Sequence, residues 1–152
     1  MTIWYRVQKH SHIQITFSGE GGLYVPGRWN YVGRKVIYCS ESIALFTLEW
    51  LANQALSVSG FNYYRYSIDV PPHLVAKYPR SKLPSDWAQT PATDSTRRFA
   101  EEHLFSSSHL AIAVPSVMVP EEYHLVINPL HDAFSEAVNS VKILGQYIVP
   151  AR

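Results

Sequence analysis

The chain has 152 residues, is 47% hydrophobic and 16% charged, and carries a formal net charge of +1. That length suits one domain with a sizeable core, and the near-neutral balance excludes bulk attraction to nucleic acid or another polyanion. With 10 Tyr, 4 Trp and 6 Phe, the composition argues against disorder and predicts aromatic packing or a surface that a partner covers.

Ile3 to Gln8 is aromatic and β-branched with loose alternation, which predicts a strand. Arg6 lies inside it, and periodicity alone predicts a solvent-facing or paired side chain. His10 to Thr16 carries no decisive pattern. Ser18 to Gly33 holds five glycines and Pro26 and reads as a loop; its length for a structureless connection points to function. Lys35 to Cys39 is a strand of buried character. Ser40 or Ser42 caps the helix that follows, because a hydroxyl there accepts from a free helix N–H. This helix runs to about Leu56 and is apolar nearly all round, which predicts a central position. Gly60 ends the connection.

Asn62 to Val70 is a strand stopped by Pro71-Pro72. His73 to Tyr78 reads as a short turn of helix, and Ser81 to Thr93, rich in Pro, Ser and Thr, as a surface loop. Thr93 or Asp94 caps a helix to about Leu104. Leu110 to Val114 is a strand, Ser116 to Tyr123 a loop between prolines, and His124 to Asn128 another strand. His131 to Val138 is a short helix, and Val141 to Val149 a last strand. Strands and helices interleave without a βαβ period, which predicts one α+β domain over residues 1–152 with a mixed, mostly antiparallel sheet.

Cys39 is the only cysteine, so no internal disulfide forms, in keeping with a reducing compartment. The N-terminus lacks a basic segment followed by an apolar run. No apolar run approaches the roughly 20 residues of a membrane span. The expectation is a cytoplasmic protein without a membrane segment.

Glu49 is the side chain that stands out. It lies among Leu45, Phe46, Leu48, Trp50, Leu51 and Ala52, and carboxylates are seldom buried unless paired. No cation lies within helical reach: the residues three and four away are Leu45, Phe46, Ala52 and Asn53. A structural ion pair with Arg28, Arg6 or Arg65 and a functional role weigh about evenly. Arg28 follows Pro26-Gly27 in a turn, and a loop Arg meeting a helix Glu at a pocket explains both. The seven histidines are scattered and show no metal-ligand spacing. Cys39 reads as a small buried apolar residue. No phosphate-binding loop, zinc-protease or nucleophile-elbow motif is present.

The sequence resembles the RES-domain family, the toxin half of bacterial RES–Xre toxin–antitoxin pairs. The resemblance rests on FSGEGGLYVPGRWN at Phe17 to Asn30, VIYCSES at Val36 to Ser42, Leu48-Glu49, VPS at Val114 to Ser116 and LVINPLH at Leu125 to His131. It implies an α+β fold similar to ADP-ribosyltransferase toxins and an enzyme that consumes NAD+ as substrate, with no cofactor and no metal. The Arg, Glu and Ser of the family name fall on Arg28, Glu49 and Ser116 as the catalytic set. Arg6, Arg28, Tyr38 and Ser116 are implied as NAD+ contacts, whereas Asn128 and His131 match without an assigned role. Hydrolysis, phosphorolysis and ADP-ribosyl transfer to a protein all remain open, as does a silent module that acts only through its partner. The implied partner is an Xre-type helix-turn-helix antitoxin, which takes the DNA binding; self-association of the toxin is left open.

Overall fold

The computed structural model describes residues 2–9, 11–53 and 62–148. Seven strands form one sheet: β1 Ile3–Gln8, β2 Ile37–Ser40, β3 Asn62–Asp69, β4 Val75–Lys77, β5 Ala111–Pro115, β6 Tyr123–Ile127 and β7 Lys142–Ile148. Their order across the sheet is β4-β5-β6-β2-β1-β3-β7. Only β4 and β5 pair in parallel; every other pair is antiparallel. The fold is therefore α+β with a mixed, mostly antiparallel sheet.

Among the described residues the four α-helices are α1 Ile13–Thr16, α2 Ile43–Ala52, α3 Asp94–Ala100 and α4 Phe134–Asn139. Ser42 caps α2, its hydroxyl accepting from the Leu45 N–H at 3.0 Å. The expected extension of α2 to Leu56, like Gly60, lies outside the described residues. In place of a central helix, α2 is an outer one, with Leu45 buried and Leu48 45% exposed.

Other boundaries differ from expectation for local reasons. The Gly-rich loop follows α1 and contains a 3-10 turn at Glu20–Leu23. His73 to Tyr78, expected as helix, is a 3-10 turn at Pro72–Leu74 followed by β4, because three residues gain a ladder beside β5. α3 begins after Thr93, but the Thr93 hydroxyl donates to Asp86 instead of capping. The helix then widens to a π-helix over Glu101–Phe105.

Strand alternation sorts the core into two layers. Ala111, Ala113, Leu125, Ile127, Ile37 and Cys39 pack on one side with Trp4, Phe17 and Tyr66. Ile112, Val114 and Val126 pack on the other with Trp29, Trp87, Phe99 and Leu104, and Tyr38 lies against them. The second side carries the site. Antiparallel register places Ser40 beside His124 and His124 beside Val114 on adjacent strands.

Candidate active site

The site begins with the turn that carries Arg28. Asn30 is buried, and its Oδ1 accepts from the Gly27 N–H at 2.8 Å and from the Tyr38 hydroxyl at 2.6 Å. The Trp29 N–H in turn donates to Tyr38 Oη at 3.3 Å. A Cβ on Gly27 would fall 2.5 Å from both Asn30 Oδ1 and Tyr38 Oη, so only glycine allows this closure. α3 grips the same turn: Thr96 Oγ1 donates to the Arg28 carbonyl at 2.6 Å, and Arg97 Nε to the Gly27 carbonyl at 2.8 Å. Arg28 Nη1 donates to the Trp87 and Gln89 carbonyls at 2.9 and 2.7 Å, drawing the 87–90 segment over one edge of the site.

Glu49 faces this turn from α2. The Ser116 hydroxyl donates to Glu49 Oε1 at 2.6 Å. His124 Nε2 approaches the same oxygen to 2.9 Å, off the axis of a well-formed hydrogen bond. On its other side, His124 Nδ1 lies 2.8 Å from Ser40 Oγ. Both contacts fall on Oε1, so among the described residues Glu49 Oε2 has no partner. Burial pushes the Glu49 carboxyl up, but His124, the Ser116 hydroxyl and the Arg28 charge together outweigh it and hold the group below the usual carboxylate range. This carboxylate is ionised at neutral pH without an ion pair to arginine.

Arg28, Tyr38, Ser40, Glu49, Arg97 and His124 line one cavity of about 750 Å³, within the size range of small-molecule sites. Burial lowers the Arg28 pKa; Glu49 opposes that shift and Arg97 adds to it, as two like charges facing one space must. Burial also raises the Tyr38 phenol, so it stays a neutral donor to Asn30. A smaller cavity of about 440 Å³ lies on the opposite face of α2, between Ile43, Leu48, Leu51 and Arg65, and is mainly apolar. Among the described residues, no group of three His, Cys, Asp or Glu side chains is placed to hold a metal.

The structure brings Arg28, Tyr38, Glu49 and Ser116 together but changes what two of the expected residues touch. Ser116 is fully buried, does not line the cavity, and spends its hydroxyl on Glu49 while accepting from the Met118 and Val119 N–H groups at 3.1 and 3.0 Å. Its expected contact with substrate becomes a contact with the carboxylate. Arg6, expected at the NAD+ site, is set apart: Nε donates to the Thr16 carbonyl at 3.1 Å and Nη1 to the Tyr38 carbonyl at 2.7 Å. These bonds fasten α1's end to β2. Cys39 is buried with its thiol pushed up to about 12, an inert core residue.

Asn128 and His131 also have structural places. Asn128 Oδ1 accepts from the Leu130 N–H, and His131 bridges the Ser108 carbonyl and the Ala133 N–H. Sequence reasoning did not place His124 or Arg97 in the site. His124 had a signal: on β6 it lies on the face opposite Leu125 and Ile127, a polar residue aimed away from the main core. Arg97 had none, because the loop before α3 sets its direction.

The profile of the RES domain family matches residues 3–147. This chain belongs to the RES domain family. A relative named Toxin Res from Yersinia enterocolitica is 31% identical over 141 residues, covering 93% of each chain. A relative from Sphingobium named Prs ADP-ribosylating toxin is 35% identical over 117 residues, 75% of this chain and 73% of its own length. Among solved structures, the M. tuberculosis MbcT–MbcA toxin–antitoxin complex contains a chain that superposes with a TM-score of 0.69 at 18% identity, over 98% of this chain and 84% of that one. The RES fold is thus shared at an identity where only architecture carries over. In this RES domain Glu49 and Ser116 touch directly, and Arg28 lines the same cavity as Glu49.

Proposed function

We propose that this RES domain is a toxin that cleaves the nicotinamide–ribose bond of NAD+, by hydrolysis or phosphorolysis. The observation that carries the reading is Glu49: an ionised carboxylate with one oxygen fixed and one free, in a cavity whose other charges are guanidinium groups. Departure of nicotinamide builds positive charge on the ribose, and a carboxylate beside it stabilises that oxocarbenium-like state. The fixed geometry means that little reorganisation is left for the moment of reaction. The guanidinium donors of Arg28 and Arg97 that are not engaged with backbone carbonyls are of the kind that bind the oxygens of a diphosphate. The Tyr38 ring on the cavity wall offers a face for nicotinamide. NAD+ is consumed as substrate, and no separate cofactor or metal takes part.

The names of the relatives support a toxin, and the toxin–antitoxin complex among similar folds supports a neutralising partner. We assign that partner as an Xre-type helix-turn-helix antitoxin that carries the DNA binding, with the toxin acting in the cytoplasm. Among the described residues no helix is long and apolar enough to cross a membrane.

A second reading keeps the same pocket and transfers ADP-ribose to a protein; the Sphingobium relative's name favours it. NAD+ loss by purified protein, with and without phosphate and with Glu49→Gln as control, tests the first. Loss that depends on Glu49 supports degradation, and phosphate dependence with product mass separates its two forms. Label from NAD+ appearing on a lysate protein, without free turnover, supports transfer. Neither signal leaves only a silent partner-binding module.

A further inference from the structure

The Ser40–His124–Glu49 line uses a histidine that the reaction as proposed does not need for contact with substrate. Ser40 and His124 are register partners on β2 and β6, so the sheet itself fixes their spacing. Ser40 Oγ is 2.8 Å from Nδ1, and Nε2 is 2.9 Å from Glu49 Oε1. At 2.9 Å from a carboxylate oxygen, even off the hydrogen-bond axis, a proton on Nε2 turns repulsion between lone pairs into attraction, which selects the Nε2–H state. Nδ1 then accepts from the Ser40 hydroxyl in the neutral ring, or donates to it in the cation. The groups facing Glu49 are His124 from β6, Ser116 from the end of β5 and Arg28 from the turn; those facing His124 are Glu49 from α2 and Ser40 from β2.

We propose that His124 is a positioning residue for Glu49: held by Ser40 with Nε2–H toward Oε1, it fixes the carboxylate so that Oε2 is the oxygen offered to the reacting ribose. The consequence for NAD+ cleavage rests on the function proposed above; the ring state and its hold on Glu49 do not. Ser116, just past β5, and His124, in β6, approach Oε1 from different parts of the chain, so together they stop the carboxylate from rotating about its last torsion.

The test combines ring and carboxyl NMR with kinetics on the whole protein. Long-range 1H–15N spectra are expected to show a proton on His124 Nε2. A ring protonated on Nδ1 alone overturns the assignment. In His124→Leu, the 13C-detected titration of Glu49 is expected to move up from its wild-type position; an unchanged titration in a folded variant overturns it. Loss of one positioned donor predicts kcat about 10- to 100-fold lower with KM for NAD+ within about twofold, and partial recovery in His124→Gln, which keeps a donor. A rise in KM with kcat intact would instead make His124 a substrate contact and overturn the proposal. Should His124→Leu fail to fold, Ser40→Ala gives the same readouts: a mixed ring tautomer and a raised Glu49 titration are expected, and neither changing overturns the role. If wild-type protein leaves NAD+ untouched, the proposed function falls, while the tautomer and titration still decide the His124 assignment.

Discussion

Replacing Ser116 by alanine separates a residue that touches substrate from one that holds the carboxylate. The hydroxyl is fully buried, donates to Glu49 Oε1 at 2.6 Å and accepts from two backbone N–H groups at 3.0 and 3.1 Å. A hydrogen bond to a charged group contributes roughly 1.5–3 kcal/mol. The two released amides add less than their full desolvation cost, about 1 kcal/mol together, because Met118 beside them is 50% exposed. The expected loss is about 2.5–4 kcal/mol, which for a chain of this size lowers Tm by about 5–15 °C. Differential scanning calorimetry at pH 7 and pH 3 is the assay. The deficit should shrink at pH 3, where Glu49 is closer to protonation and the charge-assisted part of the bond weakens. A wild-type Tm together with a raised KM for NAD+ would refute this reasoning and return Ser116 to the substrate.

Arg97→Ala should raise the KM for NAD+ about tenfold with kcat within a few-fold, since it removes one guanidinium from the proposed diphosphate contact; an unchanged KM removes Arg97 from binding. Arg28→Ala should weaken NAD+ binding by calorimetry and also speed hydrogen exchange over residues 87–90, whose carbonyls it holds; unaltered exchange would show that segment to be held by other contacts. Gly27→Ala places a Cβ 2.5 Å from Tyr38 Oη, and such overpacking costs about 1–3 kcal/mol by urea denaturation; a neutral result would mean the turn has slack. Glu49 titrates below its ordinary value of 4.5. The stability it contributes is therefore complete above that value and lost as pH falls through the lower folded one. The stability gap between wild type and Glu49→Gln should narrow on acidification, and a gap independent of pH would contradict the depressed titration.

Much of this architecture is legible in local pattern. β1, α2 with its Ser42 cap, β3 and the Ser116 loop fall where periodicity, capping and proline place them. β4 is not, because three residues of Val75–Lys77 become a strand only through parallel pairing with a distant β5, which leaves no local trace. The site divides the same way. Glu49 is visible as a carboxylate without a local partner, and Arg28 as a cation in a turn. What they touch is set by long-range register: His124 meets Glu49 only because β6 runs beside β2. Arg6 is conspicuous in sequence for a reason other than chemistry at the cavity. A cation inside a strand must find acceptors, and the carbonyls of Thr16 and Tyr38 provide them.

That both restraints on Glu49 converge on one oxygen bears on the design of inhibitors. An amidine or guanidine warhead gains its advantage by engaging two carboxylate oxygens at once, and here it finds a single free lone-pair edge. To bind in the usual forked manner it would have to displace Ser116 or His124 and reopen contacts already closed at 2.6 and 2.9 Å. A compact cation with one donor, or a ring that carries delocalised positive charge edge-on, matches the available edge without that exchange. Selectivity over enzymes with an open carboxylate follows from the same asymmetry.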